Sequence, residues 1–355
     1  MAAYTTIDNP ELYFQCKLYT GDASSTSHTL DGSENMQPDL AWFKSRSRAD
    51  NHRIVDALRG TNSLKSNTTD AEVDSASDGF TSLDADGFTL NGSGGGGEFN
   101  AASGTYVTWC WKMGTTSGIS GTGNLTVNGY SFNSTAKQSV IVYTGNGGSS
   151  GTYTHGLGSA PGFIFGKNRD EAGDGWFAYH HKNTSAPETD YLVPNTTAAT
   201  ADSDGYWNDV APTSTLVTVG GGGEVNRAEQ QVAYCFAEVQ GYSKFGSYTG
   251  NGNADGPMIF TGMKPAFVMI KRTDSTTNWY MFDNKRGGCN AADYWLYANT
   301  NNSENASGGN IDFLSNGFKI KNSEGDINNS GSTLIYIAFA EAPFVNSNGV
   351  PCNAR

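Results

Sequence analysis

A chain of 355 residues with 45 glycines, 16% charged and 12% aromatic residues lacks the Ala, Leu, Glu and Lys of helical bundles, and strand-and-turn chemistry takes their place. Its net charge of −13 repels phosphate and argues against nucleic acid as a partner. No apolar run approaches the roughly 20 residues of a membrane span, and no basic or apolar leader follows Met1, so synthesis in the cytosol without a cleaved export signal and without membrane insertion is expected.

With 7 Trp, 17 Tyr and 18 Phe, large rings can supply a core that a disordered Gly/Ser chain lacks. The expected fold is all-β, as three tandem β-sandwich-like modules of about 100 residues, a size typical of one sandwich. An N-terminal segment, 1–11, precedes module one at 12–113. Residues 114–137 form a Gly/Ser/Thr-rich linker or an extra hairpin through Leu125, Val127 and Tyr130. Module two spans 138–240, module three 241–344, and a tail 345–355.

Each module opens with Tyr-Thr-Gly, at Tyr19, Tyr143 and Tyr248. Next come Pro38, Pro161 and Pro265, each entering a strand, with Lys44, Lys167 and Lys271 always six residues later. A second strand aligns His52 through Asp56 with Trp279 through Asp283, and Arg59 with Arg286. The middle copy reads Trp176 through His180. Leu-x-x-Asn-Thr then recurs, at Leu64, Asn67 and Thr68, at Leu192, Asn195 and Thr196, and at Leu296, Asn299 and Thr300. The leucines are expected in the cores and the asparagines on backbone at a turn three residues on. Strands at 86–90 and 316–320, with a weaker partner at 216–219, start from Asp-Gly or Asn-Gly turns. Apolar runs at 106–111, 231–236 and 334–339 close the modules and read as strands buried on both faces. Modules two and three are ten residues apart between Glu238 and Tyr248, which predicts a rigid pair with module one at a different angle.

Five cysteines, Cys16, Cys110, Cys235, Cys289 and Cys352, lack zinc or disulfide spacing, and Cys110, Cys235 and Ala338 share one strand position, as small core residues would. His52 and His180 change identity between copies, which suggests surface variation and speaks against metal or catalytic roles. Pairs such as Asp84 with Asp86 are turn residues, and the glycines at 94–97 and 220–223 are hairpin loops without a phosphate-binding Lys-Ser/Thr. Asp56 with Arg59 and Asp283 with Arg286 read as solvated ion pairs. No catalytic residue, cofactor or metal site is therefore assigned. Trp176 and Trp279, which recur at one position, are the candidate glycan-contact aromatics, with core packing as the competing reading.

Three stretches carry a family likeness. They are Leu12-Tyr13-Phe14-Gln15 leading to Lys17-Leu18-Tyr19-Thr20-Gly21, the strand from Pro38 through Trp42-Phe43-Lys44 to Arg46, and Tyr234-Cys235-Phe236-Ala237-Glu238-Val239 running into Gly241-Tyr242-Ser243-Lys244-Phe245-Gly246-Ser247-Tyr248-Thr249-Gly250. Together they resemble tandem-repeat virion structural, tail fibre-like proteins of marine tailed phages of the cyanophage and pelagiphage type. The resemblance implies a non-enzymatic protein on the particle surface, assembled in the host cytoplasm and associated with the tail or its fibres. Its implied partners are other virion proteins, further copies of itself, and a host cell-surface glycan. A capsid decoration protein is the alternative within the virion, and a glycan-degrading tailspike-type enzyme the alternative of another class.

Overall fold

The computed structural model describes residues 3–92, 97–287, 290 and 292–353, apart from the side chains of 307–309. The chain is all-β. Module one consists of β1 (Phe14–Thr20), β2 (Thr26–His28), β3 (Leu40–Ser45), β4 (Arg53–Asp56), β5 (Asn62–Leu64), β6 (Val73–Asp74), β7 (Phe80–Asp84), β8 (Gly87–Leu90) and β9 (Thr105–Trp111). These make two sheets, ordered β1-β9-β3-β4-β5-β6 and β2-β8-β7.

Residues 114–137 take the second of their two expected forms, because β10 (Thr126–Asn133) makes a hairpin with β11 (Gln138–Thr144) and widens the main sheet of module two. That module continues through β12 (Ser150–Thr154), β13 (Phe163–Asn168), β14 (Trp176–His180), β15 (Asp190–Tyr191), β16 (Ala201–Asp202), helix α1 (Asp204–Trp207), β17 (Leu216–Gly220), helix α2 (Gly223–Asn226) and β18 (Gln230–Phe236). Its main sheet runs β10-β11-β18-β13-β14, while β12 pairs with β17.

Module three holds β19 (Ser243–Thr249), β20 (Met258–Phe260), β21 (Met263–Arg272), β22 (Tyr280–Asp283), β23 (Ala292–Tyr297), β24 (Asn305–Leu314), β25 (Gly317–Ile320), helix α3 (Gly325–Asn328) and β26 (Thr333–Pro343). Because β23 pairs with both β22 and β24, its two faces join as one sheet, β19-β26-β21-β22-β23-β24-β25-β20.

The three prolines are equivalent. Leu40, Phe163 and Phe267, each two residues beyond a proline, lie opposite Trp111, Phe236 and Phe339. In module three the proline lies inside β21, where the register shifts on both sides of Pro265 and so tolerates the missing N–H.

Tyr-Thr-Gly closes each module onto its far end. The hydroxyls of Tyr19, Tyr143 and Tyr248 donate to the carbonyls of Phe99, Val225 and Ile327 at 2.7, 2.7 and 2.6 Å. The residue after each of these is a buried asparagine whose Oδ1 accepts from Asp22, Asn146 or Asn251 N–H at 3.0, 3.0 and 2.9 Å. Glycine is required between them, since a Cβ at Gly145 would stand 2.1 Å from the Arg227 carbonyl and one at Gly250 2.2 Å from that of Asn329.

The closing strands are indeed buried on both faces, and their alternation explains how. Tyr106 and Cys110, Ala233 and Cys235, and Leu334, Tyr336 and Ala338 face the core of their own module. Val107, Trp109 and Trp111, Val232, Tyr234 and Phe236, and Ile335, Ile337 and Phe339 point the other way, into one core common to all three modules. The equivalent residues Trp111, Phe236 and Phe339 meet one another there, with ring centroids 6.2, 5.6 and 5.5 Å apart. Three equivalent side chains in mutual contact define a pseudo-threefold axis. The expectation of a rigid pair with a divergent module one is therefore corrected. Short chain distance between modules two and three predicted privileged packing, yet all three turn their main sheets inward to bury the same apolar face.

The ring also closes at its ends. Tyr4 donates to the Gly262 carbonyl at 2.9 Å, Thr5 to that of Gln240 at 2.7 Å, and the Asp8 carboxylate accepts from Ser347 N–H at 2.6 Å.

Candidate functional site

The six-spaced lysines and the Leu-x-x-Asn-Thr loops lie on the seams between modules. Each seam carries the same backbone bond, from Glu72 N–H to Arg169 C=O, from Glu304 to Arg46 and from Thr200 to Thr273, at 2.7, 2.7 and 2.9 Å. Module one thus docks on two, two on three, and three on one. The constant proline-to-lysine spacing belongs to this docking. Lys44 donates to the Ser45, Arg48 and Asn301 carbonyls, and Lys271 to those of Thr197, Ser275 and Thr277, so each reaches the loop just past Leu-x-x-Asn-Thr of its neighbour. Lys167 holds the Asp174 carbonyl at 2.7 Å while Gly173 N–H crosses to Thr69 C=O at 2.9 Å. Burial lowers all three ammonium groups to a pKa of about 8.

Leu64, Leu192 and Leu296 are core residues, as expected. The asparagines differ from expectation. Asn67, Asn195 and Asn299 do bond backbone, but at the N–H of His52, Trp176 and Trp279 (3.0, 2.8 and 2.9 Å), so they fasten the loop after each leucine to the start of β4, β14 and β22 rather than a local turn.

Two seams carry a buried ionic network. At one, Arg59 binds Asp56 (2.6 Å), Glu72 (2.8 Å) and the Tyr234 hydroxyl (2.8 Å), and Glu72 is held bidentately by Arg169. At another, Arg286 binds Asp283 (2.6 Å) and Glu304 (3.1 Å), Trp109 donates to Asp283, and Arg46 clasps Glu304. The reading of Asp56–Arg59 and Asp283–Arg286 as solvated pairs is overturned, because both pairs are fully buried. The third seam substitutes the whole set. His180, Asn183, Thr200, Thr273 and Ile337 stand where the others have Asp, Arg, Glu, Arg and an aromatic donor, and Thr200 bonds Asn183 at 2.6 Å. Exchanging all partners together leaves no stranded charge.

His52 and His180 are likewise buried at seams rather than at the surface. His52 Nδ1 accepts from Trp42 Nε1 at 2.9 Å, which leaves Nε2–H to donate to the Tyr297 carbonyl at 2.9 Å. His180 accepts from Lys182 N–H and donates to Tyr336 C=O, and His155 accepts from Leu157 N–H and donates to Thr213 C=O. Burial holds all three neutral, with His180 lowered to about 3, His155 to about 4 and His52 well below its usual value. Since the unfolded chain binds these protons near pH 6.5 and the folded one does not, the stability they confer is complete above that pH and lost below it. Each contributes about 1.4 kcal/mol per pH unit. Urea unfolding at pH 7, 6, 5 and 4.5 is expected to show a steep fall with uptake of about three protons; a flat profile would refute this.

Trp176 and Trp279 are buried and give no face to a sugar, so the candidate glycan contacts are corrected to seam residues. Trp176 Nε1 donates to the Lys65 carbonyl at 2.9 Å. Cys110 and Cys235 are buried as expected, with the Cys235 thiol pushed up to about 12 by burial, while Cys289 and most of the 94–97 glycines lie outside the described residues. The second glycine stretch does not end as a simple loop, since it enters helix α2. Among the described residues no group of three His, Cys, Asp or Glu is placed to hold a metal ion, and no helix is long and apolar enough to cross a membrane.

One open cleft, of about 560 Å³, lies in module three. Tyr280 from β22, Trp295 and Tyr297 from β23, Asn310 from β24, and Glu324 and Asp326 at α3 line it. Tyr280 stacks on Trp295 at 6.2 Å, meets Tyr297 edge-on at 4.8 Å, and directs its hydroxyl at Asp326, 3.4 Å away. The other modules fill the corresponding space themselves. In module one Arg53, in the place of Tyr280, bonds Ser63 (2.8 Å), Asp78 (3.1 Å) and Glu98, which occupy or adjoin the places of Trp295 and Asp326. In module two Phe177 packs on Trp207 of α1 at 5.8 Å, and Tyr191 stacks on Tyr206 at 3.7 Å. Trp295 stands where the other copies have Ser63 and Tyr191, so the repeat itself carries no signal for it.

A family profile described as a domain of unknown function, DUF7483, matches residues 9–343. The chain belongs to that family. The match takes in all three modules as one unit, in keeping with their common core. No curated protein matches the chain. No solved structure matches it either.

Proposed function

We propose that this DUF7483 chain is a non-enzymatic structural protein of a phage virion, displayed on the particle surface, associated with the tail or its fibres and contributing to host attachment. One observation carries this reading. The residues repeated in every copy build a single platform, the Tyr-Thr-Gly tyrosines and the Leu-x-x-Asn-Thr asparagines fastening each module on itself and Lys44 and Lys271 reaching across to the neighbouring module. Such a platform suits a protein that must persist outside a cell and present surface, and its acidic exterior favours solubility. The likeness of residues 12–21, 38–46 and 234–250 to marine phage virion proteins supplies the setting, with other virion proteins and further copies of the chain as neighbours.

The test is direct. Mass spectrometry of purified particles is expected to find the chain, and gold-labelled antibody to place it on the tail. Absence from particles would end the reading, and label on the head would replace it with capsid decoration.

A further inference from the structure

We infer that the module-three cleft binds a neutral saccharide, whose hydroxyls accept from Trp295 Nε1 and Asn310 Nδ2 and donate to Glu324 and Asp326. This deepens the attachment reading above and rests on it for its biological setting. Trp295 and Asn310 are 9% and 4% exposed, both line the cleft, and neither nitrogen has a partner among the described residues. Buried donors are ordinarily paired, so two unmet ones on residues that line an open cleft mark a place for ligand acceptors, reached by a shift of the side chains that cover the two nitrogens.

The comparison within the molecule strengthens the point. Where module one has Ser63 in place of Trp295, its hydroxyl is bonded to Arg53 and Ser75, and where module two has Tyr191, its ring is covered by Tyr206. In module three the donors that correspond to these bonded or covered groups are left unmet among the described residues.

The lining selects the ligand's chemistry. Two carboxylates and no lysine or arginine line the cleft, which repels phosphate, uronate or sialate groups. An ammonium ligand would suit Glu324 and Asp326 but offers no acceptor to the two N–H groups. A sugar hydroxyl both donates and accepts, and the flanking Tyr297 and Trp295 rings suit the apolar C–H face of a pyranose.

Purified full-length protein would be titrated with gluco-, manno- and galacto-oligosaccharides, sialyllactose, polygalacturonate and spermidine, by calorimetry and by the Trp295 indole N–H resonance. At least one neutral saccharide is expected to shift that resonance, and Trp295→Phe or Asn310→Ala to weaken binding at least tenfold in variants that still unfold in one cooperative transition. If Asn310→Ala does not fold, Trp295→Phe, which keeps an aromatic ring beside Tyr280 while removing the indole N–H, decides alone. No binding by any neutral sugar, tighter binding of an acidic sugar or spermidine, or unaltered binding by the variants would overturn the inference. Release of reducing ends, abolished by Asp326→Asn, would support binding while overturning the non-enzymatic reading. Absence of the chain from particles would overturn display and leave saccharide binding measurable in the purified protein.

Discussion

Phe339→Ala is expected to destabilise the whole chain, not module three alone, by about 3–5 kcal/mol, the usual cost of deleting a buried phenylalanine ring. The ring touches Trp111, Phe236, Phe14 and Phe245, so its loss opens a cavity bordered by all three modules. Because the common core joins the sheets, unfolding in urea should remain one transition at a lower midpoint, with hydrogen exchange quickening together in β9, β18 and β26. Three separable transitions, with only the third displaced, would show that the modules are energetically independent and would sink the argument.

Arg59→Ala is expected to be of similar severity, about 3–5 kcal/mol, because it leaves the buried Asp56 without its cation inside a seam, while Glu72 keeps only Arg169. Removing the entire set should cost less than removing that one member. The combined variant Asp56→His, Arg59→Asn, Glu72→Thr, Arg169→Thr and Tyr234→Ile copies the neutral seam between modules two and three, where the chain already accommodates this combination. Urea midpoints compare the two directly. A combined variant less stable than Arg59→Ala would mean that the seams are not interchangeable.

Much of this architecture was legible in the sequence, and the gaps have physical causes. Equivalent positions of the prolines, Lys44 with Lys167 and Lys271, and the closing strands were all readable, since fixed spacing survives only where geometry forbids insertion. The common core was not. A strand covered on its second face by a neighbouring module has the same apolar run as one covered by its own, so residues 106–111 fix burial without naming the cover. Likewise, Asp and Arg three residues apart look alike in water and in a core, and burial of the Asp56–Arg59 and Asp283–Arg286 pairs depends on Tyr234 and Trp109, 178 and 174 residues away in the chain. Asn100, Asn226 and Asn328 escaped notice for the same reason, being about 80 residues from the Tyr-Thr-Gly turns they serve. The cleft was hidden by a different cause, because Trp295, Glu324 and Asp326 belong to what module three does not share with its siblings.

The pseudo-threefold axis has a consequence for how such a molecule can diversify. In a trimer of identical polypeptides a single substitution is made three times, so His180 could not replace an aspartate at one seam without doing so at every seam. Joined in one polypeptide, the copies are released from that coupling. One seam has become neutral while two remain ionic, one edge has gained β10, and one outer face has opened while its counterparts stay filled. Covalent linkage thus converts a symmetric assembly into one whose three sides can be altered singly, with the axial rings Trp111, Phe236 and Phe339 keeping them in place.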